Sequence, residues 1–277
     1  MKKNILALQI PSLIGQEQKN FQNLEAYLKS VLFDFNLKPD FLFLPEVWTA
    51  GWYPEIFPAC ADEGRAVDFL CALAKKYSLN IFGGSFIRKT DNGLKNSMPV
   101  ITKDGSILGF YDKIHLYTPD GEGVISHGEK PCIFDVDGLL TGVSICYDIR
   151  FPELFRSYAF SETPPQLLVN LSAWPYSRKG QYVYMASSRA IENQAYFLAL
   201  SQCGEIKNGV FNAGNSCVFD PMGNLLSRLD ENRGFIYFTL DTAEVDKVRN
   251  TYPNLKNAKV RDFGFDVQHC GKGSLKC

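Results

Sequence analysis

The chain has 277 residues, 45% of them apolar and 21% charged, which is enough material for a sizeable core in one large domain or two ordinary ones. Lys and Arg total 29 against 30 Asp and Glu, a net charge of −1. That balance excludes nucleic acid as the main partner, because phosphate binding draws on a basic excess.

The opening MKKNILALQIPSL has the apolar look of a signal peptide, but its run is short and is interrupted by Gln9 and Pro11. It reads as a first strand over 4–10. Residues 16–36 place Phe21, Leu24, Leu28, Val31, Leu32 and Phe35 on one helical face. FLFLPE (41–46) is a buried strand stopped by a proline. Helical spacing returns over 62–77 with Ala66, Phe69, Leu70, Leu73, Ala74 and Tyr77. NIFGGSFI (80–87) reads as a strand, and 99–113 as a hairpin turning at Asp104-Gly105. Strands follow at 138–146, 166–174 and 195–203, with helices at 152–160 and 179–194. A β-rich stretch with turn signals at Pro221, Gly223 and Asn224 leads to a short helix at 241–249.

No linker or repeat divides the chain, so the pattern predicts one α/β domain over 1–267. The last ten residues, QHCGKGSLKC (268–277), have no periodicity and read as a flexible C-terminal tail. No apolar run reaches the ~20 residues that span a bilayer, so no membrane partner is expected. The eight cysteines form no CxxC pair, and three histidines without ligand spacing give no zinc site. The expectation is a reducing, cytoplasmic protein with no metal and no cofactor. No GxGxxG follows a strand, which removes a dinucleotide-binding reading.

Three segments carry chemistry. Glu46 closes the strand in FLFLPEVW, Lys113 closes another in GFYDKIHLY, and Cys146 ends a third in GVSICYDIRFPELFR. Strand ends in α/β sheets converge on one rim, where ligands bind. A thiol attacks as thiolate, a nearby carboxylate accepts its proton, and an ammonium steadies the resulting oxyanion. The backbone N–H of Tyr147 offers a second oxyanion donor. Taken singly, each residue has an ordinary structural explanation: a buried thiol, a solvated strand-end acid, a surface lysine.

The flanking sequences change that. PEVW, YDKIHL and CYDIRFPE, in this order, resemble the Glu–Lys–Cys triad motifs of the nitrilase superfamily of carbon–nitrogen hydrolases. NSMPVITKDGSILGFYDKIHL, SAWP with SSRAIENQAYFLALSQCG, and GNSCVFDPMGNLL are similar to further family segments, so the likeness covers roughly 4–252. The resemblance implies a four-layer αββα sandwich with two mixed sheets, and a homodimer or higher homo-oligomer paired through helices. It implies Glu46 as general base, Lys113 as oxyanion lysine, Cys146 as nucleophile, and Glu122 as a second site glutamate, with Glu129 structural. Trp174 falls where the family lines its pocket. Arg150 is a candidate for a substrate carboxylate, or for tying down Asp148, Glu153 or a loop. Arg189, Glu192 and Asn193 read as a buried polar network, His115 as structural, and Asp148 as a brace of the nucleophile turn.

Within the superfamily the motifs look most like the omega-amidase group, which implies a small dicarboxylic monoamide such as 2-oxoglutaramate as substrate. An N-carbamoyl or aliphatic amidase, and a nitrilase-fold binding protein without turnover, remain the alternatives.

Overall fold

Alternate side chains of β1 (Lys2–Gln9) enter two different cores, and this fixes the layering. Leu6 and Leu8 pack with Leu24 and Leu28 of α1 (Glu17–Asp34) and with Leu70 and Leu73 of α2 (Arg65–Tyr77). Ile5 and Ala7 pack in the other direction, in a cluster that contains Val143, Val169 and Leu198 of a second sheet. The computed structural model describes residues 1–62 and 64–271.

The first sheet is built from β1, β2 (Phe41–Phe43), β3 (Asn80–Phe82), β4 (Phe86–Thr90), β5 (Gly93–Ile101) and β6 (Ile107–Asp112). The second half supplies β7 (Cys132–Val136), β8 (Leu139–Ile145), α3 (Pro152–Ala159), β9 (Leu167–Ser172), α4 (Lys179–Asn193) and β10 (Tyr196–Ser201). A small hairpin follows, β11 (Glu205–Lys207) and β12 (Val210–Phe211), then β13 (Cys217–Phe219) and β14 (Leu225–Arg228). The chain then returns as β15 (Gly234–Asp241) and ends through α5 (Thr242–Thr251), α6 (Asn254–Asn257) and β16 (Gln268–Cys270). The first sheet runs β15-β1-β2-β3-β5-β4 with β6 also on β5, and the second runs β14-β13-β10-β9-β8-β7-β16. Both are mixed: β1, β2 and β3 are parallel, as are β8, β9 and β10, while the flanking pairs are mainly antiparallel. With α1 and α2 outside one sheet and α4 packed on β10 outside the other, the architecture is an αββα sandwich.

Two expectations need correction. NIFGGSFI is two strands, because the chain kinks at Gly83-Gly84. Gly84 has φ +64, and a Cβ there would collide with the Pro45 carbonyl oxygen and the Trp48 ring. The 268–277 tail begins as structure: Gln268, His269 and Cys270 pair in parallel with Cys132, Ile133 and Phe134. Three residues are too few to show a strand period, and what orders them is the otherwise unpaired edge of β7. Residues 272–277 lie outside the described residues. Among the described residues no helix is long and apolar enough to cross a membrane.

Candidate active site

The four acid, amine and thiol side chains reach one point from four separate chain segments. Glu46 follows β2 on a tight turn in which Val47 takes φ 42, a costly value for a β-branched residue. The Gly83–Ser85 kink grips that turn. Val47 N donates to Ser85 Oγ at 3.0 Å, Ser85 N to Pro45 O at 3.2 Å, and Trp48 Nε1 to Gly83 O at 2.7 Å. Lys113 follows β6, its N–H donating to Asn96 O of β5 at 2.9 Å. Glu122 opens a short 3-10 turn after Gly121, whose φ of +90 lets the chain reverse.

Cys146 follows β8 and starts a 3-10 turn, Cys146–Arg150, with φ 46. A non-glycine residue in this region costs about 1–3 kcal/mol and persists only where its surroundings over-determine it. Here they do. Asp148 Oδ2 accepts from Ile145 N at 2.9 Å and from Tyr111 OH at 2.7 Å. Asp148 Oδ1 accepts from His115 N at 2.9 Å and lies 2.8 Å from His115 Nδ1. Arg189 Nη2 donates to Ile149 O at 2.9 Å and Nη1 to Glu192 Oε1 at 2.9 Å, while Asn193 Nδ2 donates to Arg189 O at 2.9 Å. Asp148, His115 and the Arg189 network therefore brace the turn. One carboxylate ties the segment just after Lys113 to the segment just after Cys146.

Glu46, Lys113 and Glu122 are 0% exposed, and Cys146 is 8% exposed at the bottom of a cleft. Lys113 Nζ lies 3.0 Å from Glu46 Oε1, and 2.8 and 2.9 Å from the two oxygens of Glu122. Asn96 Nδ2 donates to Glu46 Oε1 at 2.9 Å and reaches Glu122 Oε1 at 3.4 Å. Ala173 N donates to Glu46 Oε2 at 2.8 Å, and Tyr117 N donates to Glu122 Oε2. An ammonium has three N–H bonds, and three carboxylate oxygens, one of Glu46 and two of Glu122, lie within their reach.

Two carboxylates and one ammonium sum to one negative charge beside a neutral thiol. Burial, then the Glu46 charge, push the Cys146 thiol well above the ordinary value, and its hydrogen bond to Glu46 adds to this. The resting group is a thiol, with a carboxylate in place to take its proton. Burial works against the Lys113 charge, but the fields of Glu122 and Glu46 outweigh it and hold the ammonium above its ordinary range. Glu122 is raised above the usual carboxylate value by burial, with Glu46 repelling it and Lys113 opposing the rise. One cation shared by two buried carboxylates leaves the second incompletely compensated.

The cleft holds about 670 Å³ and is walled by Trp52, Tyr117, Tyr147, Arg150, Trp174 and Arg178, with the β11–β12 hairpin at its mouth. Tyr147, Trp174 and Arg150 thus stand with Cys146. Trp174 is buried and stacks on Tyr182 at 4.9 Å. Arg150 touches neither Asp148 nor Glu153. Its Nη2 donates to Gln181 Oε1 at 2.9 Å, and its Cζ lies 5.0 Å from the Trp174 ring centroid. Asn96, Tyr117, Arg178 and the Ala173 N–H have no assigned role in the sequence reading. Asn96 left one signal, an amide inside an otherwise buried strand. Among the described residues no group of three His, Cys, Asp or Glu side chains is arranged to hold a metal.

The profile of the family described as carbon-nitrogen hydrolase matches residues 5–250. The chain belongs to the carbon-nitrogen hydrolase family. It is 31% identical over 256 residues to the 2-oxoglutaramate amidase of Bacillus subtilis (strain 168), covering 91% of this chain and 96% of that protein. It is 30% identical over 240 residues to the omega-amidase of Homo sapiens, covering 81% and 85%. Among solved structures, a carbon-nitrogen hydrolase superfamily protein from Xanthomonas campestris superposes with a TM-score of 0.87 at 24% identity, covering 94% of this chain and 98% of that one. This carbon-nitrogen hydrolase therefore has the two-sheet fold its motifs imply.

Proposed function

We propose that the chain hydrolyses the terminal carboxamide of small dicarboxylic acid monoamides, with 2-oxoglutaramate the first candidate, through a thioester on Cys146. The observation that carries this reading is the buried Glu46–Lys113–Glu122 cluster against a thiol that alone of the four opens to the cleft. Glu46 accepts the thiol proton as Sγ attacks the amide carbon. Lys113 Nζ and the Tyr147 N–H hold the oxyanion. As the tetrahedral intermediate collapses, the C–N bond breaks and Glu46 returns its proton to the leaving ammonia. Glu46 then takes a proton from water, the hydroxyl adds to the thioester, and collapse restores the Cys146 thiol and releases the acid. Glu122 fixes Lys113 by its two-oxygen contact, and Trp174 and Arg150 wall the substrate. None of these steps calls for a metal or cofactor.

The raised thiol value makes proton transfer and attack one coupled event rather than the reaction of a standing thiolate. The test is ammonia release from 2-oxoglutaramate, glutamine, an N-carbamoyl amino acid, an aliphatic amide and a nitrile, with Cys146→Ala as control. Release from 2-oxoglutaramate that falls at least ~10⁴-fold in the variant is expected. Turnover of another substrate alone replaces the substrate and keeps the mechanism. Release from none of them sinks the enzymatic reading.

We further propose a homodimer working in the reducing cytoplasm. The outer face of α4 exposes Tyr184 at 77% and Ile191 at 49%, and Ile191 adjoins the β13–β14 turn, where Met222 is exposed, as are Leu225 and Leu226 at the start of β14. Exposed apolar side chains grouped in this way favour a partner surface. Sedimentation at the mass of a single 31.2 kDa chain would sink the dimer. Recovery of the protein outside the cytosolic fraction would sink the location.

A further inference from the structure

The cleft carries more cation than amide hydrolysis by itself requires. Arg150, Arg178 and Lys207 line it, and among the described residues Glu55 is the one acid in its lining. Lys207 is accounted for: its Nζ donates to Tyr53 OH at 3.0 Å and it lies in the field of Glu55. Arg150 is engaged by Gln181 and by the Trp174 ring. Arg178 is engaged to the same extent, but by a residue that also holds Glu122. Its Nη1 donates to Tyr117 OH at 3.0 Å, and its Cζ lies 5.1 Å from that ring centroid. A guanidinium has five N–H donors in a fork that fits a carboxylate with two parallel bonds, and Tyr117 takes one. Among the described residues no carboxylate forms an ion pair with Arg178, and the first turn of α4 that follows it has no acid.

The position of Arg178 is also fixed relative to the reacting groups. The segment from Ala173 to Arg178 begins with Ala173 N on Glu46 Oε2 at 2.8 Å. It ends with Trp174 Nε1 donating to Arg178 O at 2.9 Å. The strand end that holds the base thus sets, through six residues, where the guanidinium stands. On the opposite wall, Tyr117 holds Glu122 through its N–H and Arg178 through its hydroxyl. An anion bound at Arg178 has a set distance to the thiol, so the pair of sites measures the length of a substrate with an amide at one end and a carboxylate at the other.

We infer that Arg178, held by Tyr117, is the specificity-determining receptor for the free carboxylate of the amide substrate, a role distinct from that of Arg150, which walls the cleft. This inference rests on the reading of the cleft as an ω-amide site. Its test uses Cys146→Ala protein, which forms no thioester, and calorimetric titration with glutaramate and with glutaramide. These two ligands share a carbon chain and differ only in whether the distal group is a carboxylate or a neutral amide. Cys146→Ala protein is expected to prefer glutaramate by about 10- to 100-fold, the worth of a charge-assisted pair. Adding Arg178→Gln should abolish that preference and leave glutaramide affinity in place, and Arg178→Lys should restore part of it. Equal loss of both ligands in Arg178→Gln, which a merely structural arginine would give, overturns the inference. So does a preference that survives the substitution, or no binding of either ligand at millimolar concentration. The ω-amide reading is judged separately, by ammonia release from 2-oxoglutaramate in protein with Cys146 intact, so one can fail while the other stands.

Discussion

The floor of the cleft and its wall both hold charged side chains, but under opposite conditions. On the floor, Glu46, Lys113 and Glu122 have no exposure, and each is fastened by the others and by Asn96, Ala173 N and Tyr117 N. On the wall, Arg150 and Arg178 are half-buried and lean on aromatic rings and single neutral acceptors. In low dielectric an uncompensated charge is expensive, so the floor tolerates little change. Where solvent reaches, the same change costs less and alters binding more than folding. On the proposed mechanism, the difference places reaction chemistry and substrate choice in separately adjustable layers of one pocket.

Lys113→Met should break this comparison most sharply. It leaves two carboxylates buried without their cation, for which about 3–5 kcal/mol of stability is expected to be lost. Removal of the proposed oxyanion donor should lower kcat by a further ~100- to 1000-fold in whatever folds. Urea denaturation and ammonia release measure the two effects. Near-native stability would mean that the carboxylates are not both charged in the resting protein.

A smaller and more diagnostic effect is expected from Glu122→Gln. Burial raises the Glu122 carboxyl above its ordinary value, so the folded protein binds that proton more tightly than the unfolded chain. As pH falls through the raised value, Glu122 becomes neutral and Lys113 loses a partner. The acid limb of kcat/KM should therefore lie above the ordinary carboxylate value of about 4.3. In Glu122→Gln that limb should move to lower pH, on a reduced maximum. Lys113, held above its usual range, should contribute no titration between pH 6 and 9, windows set on the order of its ordinary value near 10.4. An acid limb unchanged in Glu122→Gln would assign the titration to another group of the coupled cluster.

The smallest effect belongs to the wall. Arg150→Gln should raise KM by about 3- to 10-fold with kcat within about two-fold, because it loses packing on Trp174 and one hydrogen bond at a solvated rim. A kcat loss comparable to that of Lys113→Met would erase the distinction between floor and wall.

Much of the floor was legible in the chain itself. Glu46, Lys113 and Cys146 each end a predicted strand, and strand ends in such sheets share a rim. The alternation of β1 and the helical faces of α1 and α2 were readable because periods of 2 and 3.6 are local. The kink at Gly83-Gly84 was not, because its reason is a neighbour: the Pro45 carbonyl and Trp48 occupy the space a Cβ would need. Nor was the pairing of Gln268–Cys270, which depends on the edge that β7 presents.

The sequence by itself determined the α/β class and the family, and through that resemblance it implied the αββα layering and the proposed reacting groups, since the motifs are written in residues a few positions apart. Only the tertiary structure decided the charge balance around them. That Asn96 bridges both glutamates, that Tyr117 joins Glu122 to Arg178, and that Cys146 rests as a thiol all depend on segments dozens of residues apart in the chain and within hydrogen-bond reach in space. Electrostatic energy follows distance and burial, and neither is a local property of sequence.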